Sequence, residues 1–205
     1  MYTPPKFCKN DPDKLFSIIS ENSFALVLSV NGEGEINHTQ TPLIVSEGRT
    51  KLLGHIAKAN PHWYSWSNTP VKAIFQGAHT YISPKYYESE FNVPTWNYQT
   101  VSVEGLAQVI SDPNIQTDIM QALVSRHESG FEQSWEFDPD DSRYKKLFEM
   151  IVFFEIEITD IQASFKLNQN KPKDDQMSVI THLKKIPQLS HNQLIAKAME
   201  ENLKL

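Results

Sequence analysis

Apolar positions in this chain come in short dense runs broken by Gly, Asn and Pro, which is the spacing of strands. "SFALVLSV" (Ser23–Val30) reads as a buried strand, "NGEGE" (Asn31–Glu35) carries the Asn-Gly hairpin signal, and "INHTQTPLIVSEG" returns as its partner. "TKLLGHIA" predicts a third strand, "PHWYSWS" a short helix, and "VKAIFQG" and "HTYIS" two further strands. In "YQTVSVEGLAQVI" the alternation puts Val101, Val103 and Leu106 on one side. "IVFFEIEITDIQASFKL" gives a last long strand with Phe154, Ile156 and Ile158 in step.

Helical spacing is confined to the edges of this pattern. "NDPDKLFSIISEN" predicts a short helix capped by Asn10 or Asp11, with Pro12 in its first turn. "DPNIQTDIMQALVSRHES" predicts a helix with Ile115, Ile119, Ala122 and Leu123 on one face, and "DPDDSRYKKLFEM" a shorter one. Helices over Lys173–Lys185 and Ser190–Leu203 finish the chain. Hairpin-ordered strands with few crossover helices predict a mainly β fold with flanking helices, an antiparallel barrel and not a parallel sheet. Polar "LNQNKPKDD" (167–175) supplies the one candidate boundary, giving a barrel domain over 1–170 and a helical appendage over 171–205.

Composition narrows the class. The chain has 205 residues, 40% hydrophobic and 21% charged, which is ordinary globular composition. The formal net charge of −6 argues against strong duplex binding, which needs a basic face to neutralise phosphates. Cys8 stands alone and cannot form an internal disulfide, as expected in a reducing cytosol. The N-terminal "MYTPPKFCKNDPDK" has no apolar signal core, and no run approaches the ~20 apolar residues of a membrane span. A soluble, cytoplasmic protein is expected.

Three stretches carry candidate chemistry. In "LLGHIAKANPHW" (Leu52–Trp63) a strand hands over to a turn bearing His55, Lys58 and Asn60. Asn60 is a good N-cap and Pro61 fits the first helical position. The exposed amides with the Lys58 ammonium could cradle a phosphate; the same residues also suit a capped helix with a solvated Lys. In "IFQGAHTYISPKYYESEFNVPTWNYQTVSVEG", Gly77 permits close approach of a flat ligand and Gln76 offers an amide. Thr95, Trp96, Asn97 and Tyr98 gather between two strands, as material for holding an aromatic ring or for lining a core turn. In "HTQTPLI", Thr39, Gln40 and Thr41 are polar within an apolar strand. Either they meet partners there or alternation turns Thr39 and Thr41 to solvent.

Together these stretches resemble the PaiB family, flavin-binding negative transcriptional regulators of bacteria. The matching pieces are "ENSFALVLS", "LLGHIAKANPHW", "IFQGAHTYISPKYYE", "VPTWNY" with the following "VSVEG", and "FKLNQNK", in family order from about residue 1 to 185. Where the family usually reads Thr-His-Leu-Pro, this chain reads Thr39-Gln40-Thr41-Pro42, so an imidazole gives way to an amide. The resemblance implies an FMN-binding split β-barrel like that of pyridoxamine-phosphate-oxidase-like flavoproteins, plus C-terminal helices. It implies a homodimer with FMN at the interface. His55, Lys58 and Asn60 would meet the phosphate and ribityl end, and Thr39, Gln40 and Thr41 the flavin's other contacts. Gln76 and Gly77 would approach the isoalloxazine, and Thr95, Trp96 and Asn97 would close the pocket.

Other constellations are absent: no Cys-x-x-Cys, no His-Glu-x-x-His, no P-loop and no pair of His at metal-ligand spacing. Asp138–Asp141 read as helix caps. The last two helices imitate a helix-turn-helix but carry no dense basic face, so they read as packing elements and DNA is weakly supported as a partner. Three functions are consistent with this reading: an FMN-carrying negative regulator of transcription, an FMN-dependent oxidoreductase, and a haem-binding or haem-degrading protein using His127, His182 or His191 as axial ligand.

Overall fold

The computed structural model describes residues 1–186 and 190–203, with the side chains of Ser142, Lys145 and Ser190 outside the description. Among the described residues six strands are present: β1 (Phe24–Val30), β2 (Ile36–Val45), β3 (Lys51–Ala57), β4 (Ser67–Ile82), β5 (Thr95–Ile110) and β6 (Ile151–Lys166). They close a barrel in the order β1-β2-β3-β6-β5-β4, and β1–β2, β1–β4, β2–β3 and β3–β6 pair antiparallel. Five helices accompany them: α1 (Pro12–Glu21), α2 (Pro113–Glu128), α3 (Ser142–Phe148), α4 (Lys173–Lys184) and α5 (Ser190–Leu203). The mainly β expectation holds.

Differences from the expected elements have local causes. "VKAIFQG" and "HTYIS" belong to one 16-residue strand, because Gly77 is accommodated in extended backbone and does not end it. In the β1–β2 hairpin the left-handed residue is Gly34 (φ 83°), while Asn31 Oδ1 accepts from the amides of Glu33 and Glu35 at 3.0 and 2.9 Å. The Leu106 side chain is out of phase with Val101 and Val103; Gly105 and Ala107 continue the buried face. On α2 only Ile119 and Leu123 are buried, and Ile115 and Ala122 face out. Asp11 is the α1 cap: its carbonyl accepts from Leu15 N–H at 3.0 Å and its carboxylate from Lys14 N–H at 3.4 Å. Asp112 and Asp141 cap α2 and α3 through their carboxylates.

The chain forms two compact units, each discontinuous in sequence. One holds residues 19–75 and 102–161: β1 to β3, the N-terminal part of β4, most of β5 and β6, and α2 and α3. Alternation sends Ala25, Val27, Leu52, Ile56, Ala73, Val103, Phe154 and Ile156 to the same buried side of their strands. On the opposite face Phe153 packs with Ile119 and Leu123 of α2, bordered by Ile44, Leu53 and Phe148. Two glycines allow the strands to pack this closely. A Cβ on Gly54 would lie 2.6 Å from Leu43 Cδ2, and one on Gly105 would collide with the Glu157 carbonyl.

The other unit holds residues 1–18, 76–101 and 162–205. Val179, Ile180 and Leu183 of α4 and Ile195, Ala196 and Met199 of α5 are buried in it. Asp175, at 2% exposure, accepts from the amides of Glu88 and Ser89 at 2.9 Å each and from Ser89 Oγ at 2.6 Å. This clamps the turn after β4 to α4. The 187–189 link, where a helix-turn-helix would bend, lies outside the described residues.

Gly105→Ala is expected to destabilise the fold by about 1–3 kcal/mol, since the added methyl meets rigid backbone and not a movable side chain. Denaturant unfolding at constant m-value measures it.

Candidate functional site

Thr39 and Thr41 lie on β2, His55 at the end of β3, and Lys58 and Asn60 on the turn that follows, all in the first unit described. The β2–β3 ladder runs from Val45↔Leu52 to Leu43↔Gly54. Pro42, next in line, has no N–H to offer. Thr41, at 3% exposure, makes good the loss by donating from Oγ1 to the His55 carbonyl at 2.6 Å. The His55 ring lies against Phe153, centroids 5.8 Å apart, and its Nδ1 is buried with no partner. Burial holds its pKa below the ordinary imidazole value, so the ring is neutral at pH 7.

Asn60 starts a short 3₁₀ turn, Pro61–Ser65, where helix was expected, and caps it by accepting from His62 N–H at 3.0 Å. Its amide nitrogen donates to Thr39 Oγ1 at 2.9 Å. The centre of the arrangement is His62, at 3% exposure, which the sequence reading missed. Its Nδ1 lies 2.9 Å from Thr39 Oγ1 and its Nε2 2.8 Å from Ser29 Oγ. Its ring meets Trp66 edge-on at 4.8 Å, and Trp66 packs on Phe154 at 4.5 Å. Burial, and secondarily the His38 imidazole, push the His62 pKa down. Thus Thr39 and Thr41 are not turned to solvent: the protein's own groups partner both. Gln40, on the opposite face, is exposed. Lys58 is exposed with no ion-pair partner among the described residues, and its backbone N–H donates to the Met150 carbonyl at 2.8 Å.

The remaining candidates belong to the other unit. Gln76 is exposed and accepts from Thr100 Oγ1 at 3.2 Å. Gly77 is buried in β4. Thr95 is bonded to Lys166 Nζ, a half-buried ammonium whose pKa burial lowers. Trp96 is 54% exposed, with His79 at 6.4 Å and Tyr81 at 6.1 Å between ring centroids. Asn97 is instead fully buried: its amide nitrogen donates to the Met199 sulfur of α5 at 3.4 Å and its Oδ1 has no partner. His79 and Tyr81 could have been found from the alternation of "HTYIS", which puts both on the outer face. His62 gave no such signal, because nothing in Asn-Pro-His says that Ser29 lies opposite.

The possible haem ligands are placed as follows. His127 is exposed near the end of α2, His182 stacks on Tyr86 at 5.1 Å, and His191 Nδ1 sits 3.1 Å from the His79 carbonyl. Among the described residues no group of three or more His, Cys, Asp or Glu could hold a metal ion, and no helix is long and apolar enough to cross a membrane. A cleft of about 200 Å³ lined by Ser20, Ser23, Leu43, Val45 and Arg126, among others, shares no residue with the Thr39–His62 group.

Residues 1–160 match the family described as "Putative FMN-binding domain". Over 213 aligned positions the chain is 32% identical to the protease synthase and sporulation protein PAI 2 of Bacillus subtilis (strain 168), covering 100% of this chain and 99% of that protein. The chain belongs to the PaiB-type FMN-binding domain family. Solved structures agree on the fold. The conserved hypothetical protein Rv2991 of Mycobacterium tuberculosis superposes with TM-score 0.61 at 11% identity, covering 84% of this chain and 94% of that one. The flavocytochrome Anf3 of Azotobacter vinelandii gives 0.59 at 13%, covering 84% and 74%. The barrel is therefore the split barrel of this family; Thr39, Asn60 and His62 are joined by hydrogen bonds, Thr41 meets the His55 carbonyl, and the His55 ring lies on the Phe153 face of the sheet.

Both buried imidazoles make stability depend on pH. Their folded pKa values lie below the unfolded value of about 6.5, so below that pH the unfolded chain binds more protons. Stability is full above about pH 6.5 and is expected to erode as pH falls below it. Thermal unfolding between pH 7.5 and 5 checks this; His62→Gln should flatten the slope.

Proposed function

We propose that this chain binds FMN and acts as a PaiB-type negative regulator of transcription. The observation that carries the flavin reading is the polar group at the end of β3. It combines an ammonium without an ion-pair partner among the described residues (Lys58) with the half-buried Thr39 and Asn60; on the other face of β3 the His55 Nδ1 is a buried imidazole nitrogen without a partner. An unsatisfied buried nitrogen is costly unless a ligand or water completes it. FMN brings a phosphate for the ammonium and a polar ribityl chain for the neutral donors. The regulatory reading is supported by full-length likeness to PAI 2, a sporulation protein by name.

In this reading Lys58 meets the phosphate as a point charge, while Asn60 and Thr39 supply neutral hydrogen-bonding groups; a role for His55 rests on the family resemblance alone. Gln76, Gly77, Thr95, Trp96 and Asn97 belong to the other unit; the family resemblance assigns Gln76 and Gly77 to the isoalloxazine and Thr95, Trp96 and Asn97 to closing the pocket, and Gln76 and Trp96 are exposed. When bound, FMN supplies reversible one- and two-electron chemistry, which the protein orients and tunes. A cytoplasmic homodimer with FMN at its interface is part of the proposal. It is supported by the exposed Tyr81, Phe91 and Trp96, large apolar surfaces that a second copy would cover.

FMN titrated into purified apoprotein, followed by flavin fluorescence, tests the reading. Saturable micromolar or tighter binding is expected, and Lys58→Ala should weaken it by about 1–2 kcal/mol through loss of a charge-assisted contact. Absence of binding would remove the cofactor, and unchanged affinity would remove Lys58 from the site. Salt-dependent binding to promoter DNA is the separate test of the regulatory role.

A further inference from the structure

The positions of heavy atoms around His62 leave one choice open, and that choice decides what the site offers a ligand. Asn60 Nδ2 donates to Thr39 Oγ1, which uses one lone pair of the hydroxyl. Thr39 Oγ1 also sits 2.9 Å from His62 Nδ1, and Ser29 Oγ 2.8 Å from Nε2. A neutral imidazole carries its proton on one nitrogen only. With the proton on Nε2, the ring donates to Ser29 and Thr39 must donate inward to Nδ1. The hydroxyl proton is then spent inside the protein. With the proton on Nδ1, the ring donates to Thr39, which now accepts twice, and Ser29 donates to Nε2. The Thr39 proton then has no internal acceptor in this network and is free for an outside one. The two arrangements differ in the orientation of two hydroxyls and the position of one ring proton, and neither buries a charge.

We propose that His62 is a positioning residue that sets donor direction at the Thr39–Asn60 edge, and that a phosphate group bound there selects the tautomer protonated on Nδ1. The naming of the phosphate as that of FMN rests on the proposed flavin function. Four observations support the arrangement. His62 and Ser29 are buried, so bulk water does not compete for the ring nitrogens. Thr39 and Asn60 are half-buried and reach the surface. The second Asn60 amide N–H has no partner among the described residues, so two neutral donors can converge on one acceptor. Lys58, two residues before Asn60, supplies the positive charge that an anion requires. His62 itself touches no ligand; it acts through Thr39.

The test is ¹⁵N NMR of the full chain labelled on its histidines, following the His62 Nδ1 and Nε2 resonances while FMN, and in parallel inorganic phosphate, is added. The expected result is a shift of Nδ1 from the unprotonated to the protonated range on binding, with the reverse at Nε2. A purely structural histidine would not exchange its proton between nitrogens. Thr39→Val, nearly isosteric, should lower FMN affinity about tenfold by removing the outward donor, and it should abolish the ligand-driven exchange. FMN binding with unchanged His62 resonances would overturn this inference and leave the flavin reading standing. No FMN binding, with phosphate still driving the exchange, would overturn the flavin reading and keep the inference. No response to either ligand would overturn both.

Discussion

A buried imidazole has two nitrogens to satisfy, and the way His62 does so organises one end of the barrel. Ser29 comes from β1, Thr39 from β2, and Asn60 from the turn after β3, so a single ring ties three consecutive segments of the first unit together. Trp66 packs against that ring and against Phe154 of β6, which continues the same contact into the apolar core. The cost of burying a polar ring is offset only while each hydrogen bond is kept. This requirement fixes the backbone of Pro61–Ser65 and the side chains of Thr39 and Asn60, whatever ligand arrives. The polar residues nearest the proposed phosphate position are thus preorganised by a constraint of the fold.

That constraint also separates two kinds of polar residue at the site. Thr41 spends its hydroxyl on a carbonyl that Pro42 leaves without its usual donor, so its polarity serves the strand pairing. Thr39 and Asn60 belong to the histidine network yet reach the surface. Lys58 and His55 Nδ1 are left over by the fold, one in solvent and one buried. A buried group left without a partner is where a ligand gains most, because completing it removes a desolvation cost, whereas the exposed ammonium must give up water. Gln40, where the family usually has histidine, is exposed and leaves the His62 network untouched. The imidazole absent at that position is therefore not needed for the local structure.

The second unit is held by a different device. Asp175 is a nearly fully buried carboxylate at the start of α4, satisfied by two backbone amides and a serine hydroxyl. These bonds, the Ser89 hydroxyl first, hold its carboxyl below the ordinary range, so it stays ionised at neutral pH, close to the N-terminal end of its helix. Asn97 is buried against Met199, and Thr80 is bonded to Asn192, which secures α5 to the same unit. The two terminal helices here are load-sharing parts of a core, in keeping with their lack of a dense basic face.

Much of this was legible in the residues. Dense apolar runs and the Asn31–Glu35 turn determined the β1–β2 hairpin, because alternation and turn chemistry are local. Asp11 and Asp141 marked helix starts for the same reason, and long motifs such as "GHIAKANPHW" determined the family. What depended on distant partners was not legible. Gly77 did not end a strand: β4 runs through it from Ser67 to Ile82. Leu106 lost its place on the buried face to Gly105, where the close approach of Glu157 leaves no room for a side chain. Asn97, expected to close a pocket, lies under α5, about a hundred positions away in the chain. His62 emerged only once β1 and β2 were brought to the turn after β3. Sequence periodicity records which face of an element is apolar; only the tertiary structure decides which polar side chain meets which, because those meetings are made between segments far apart in the chain.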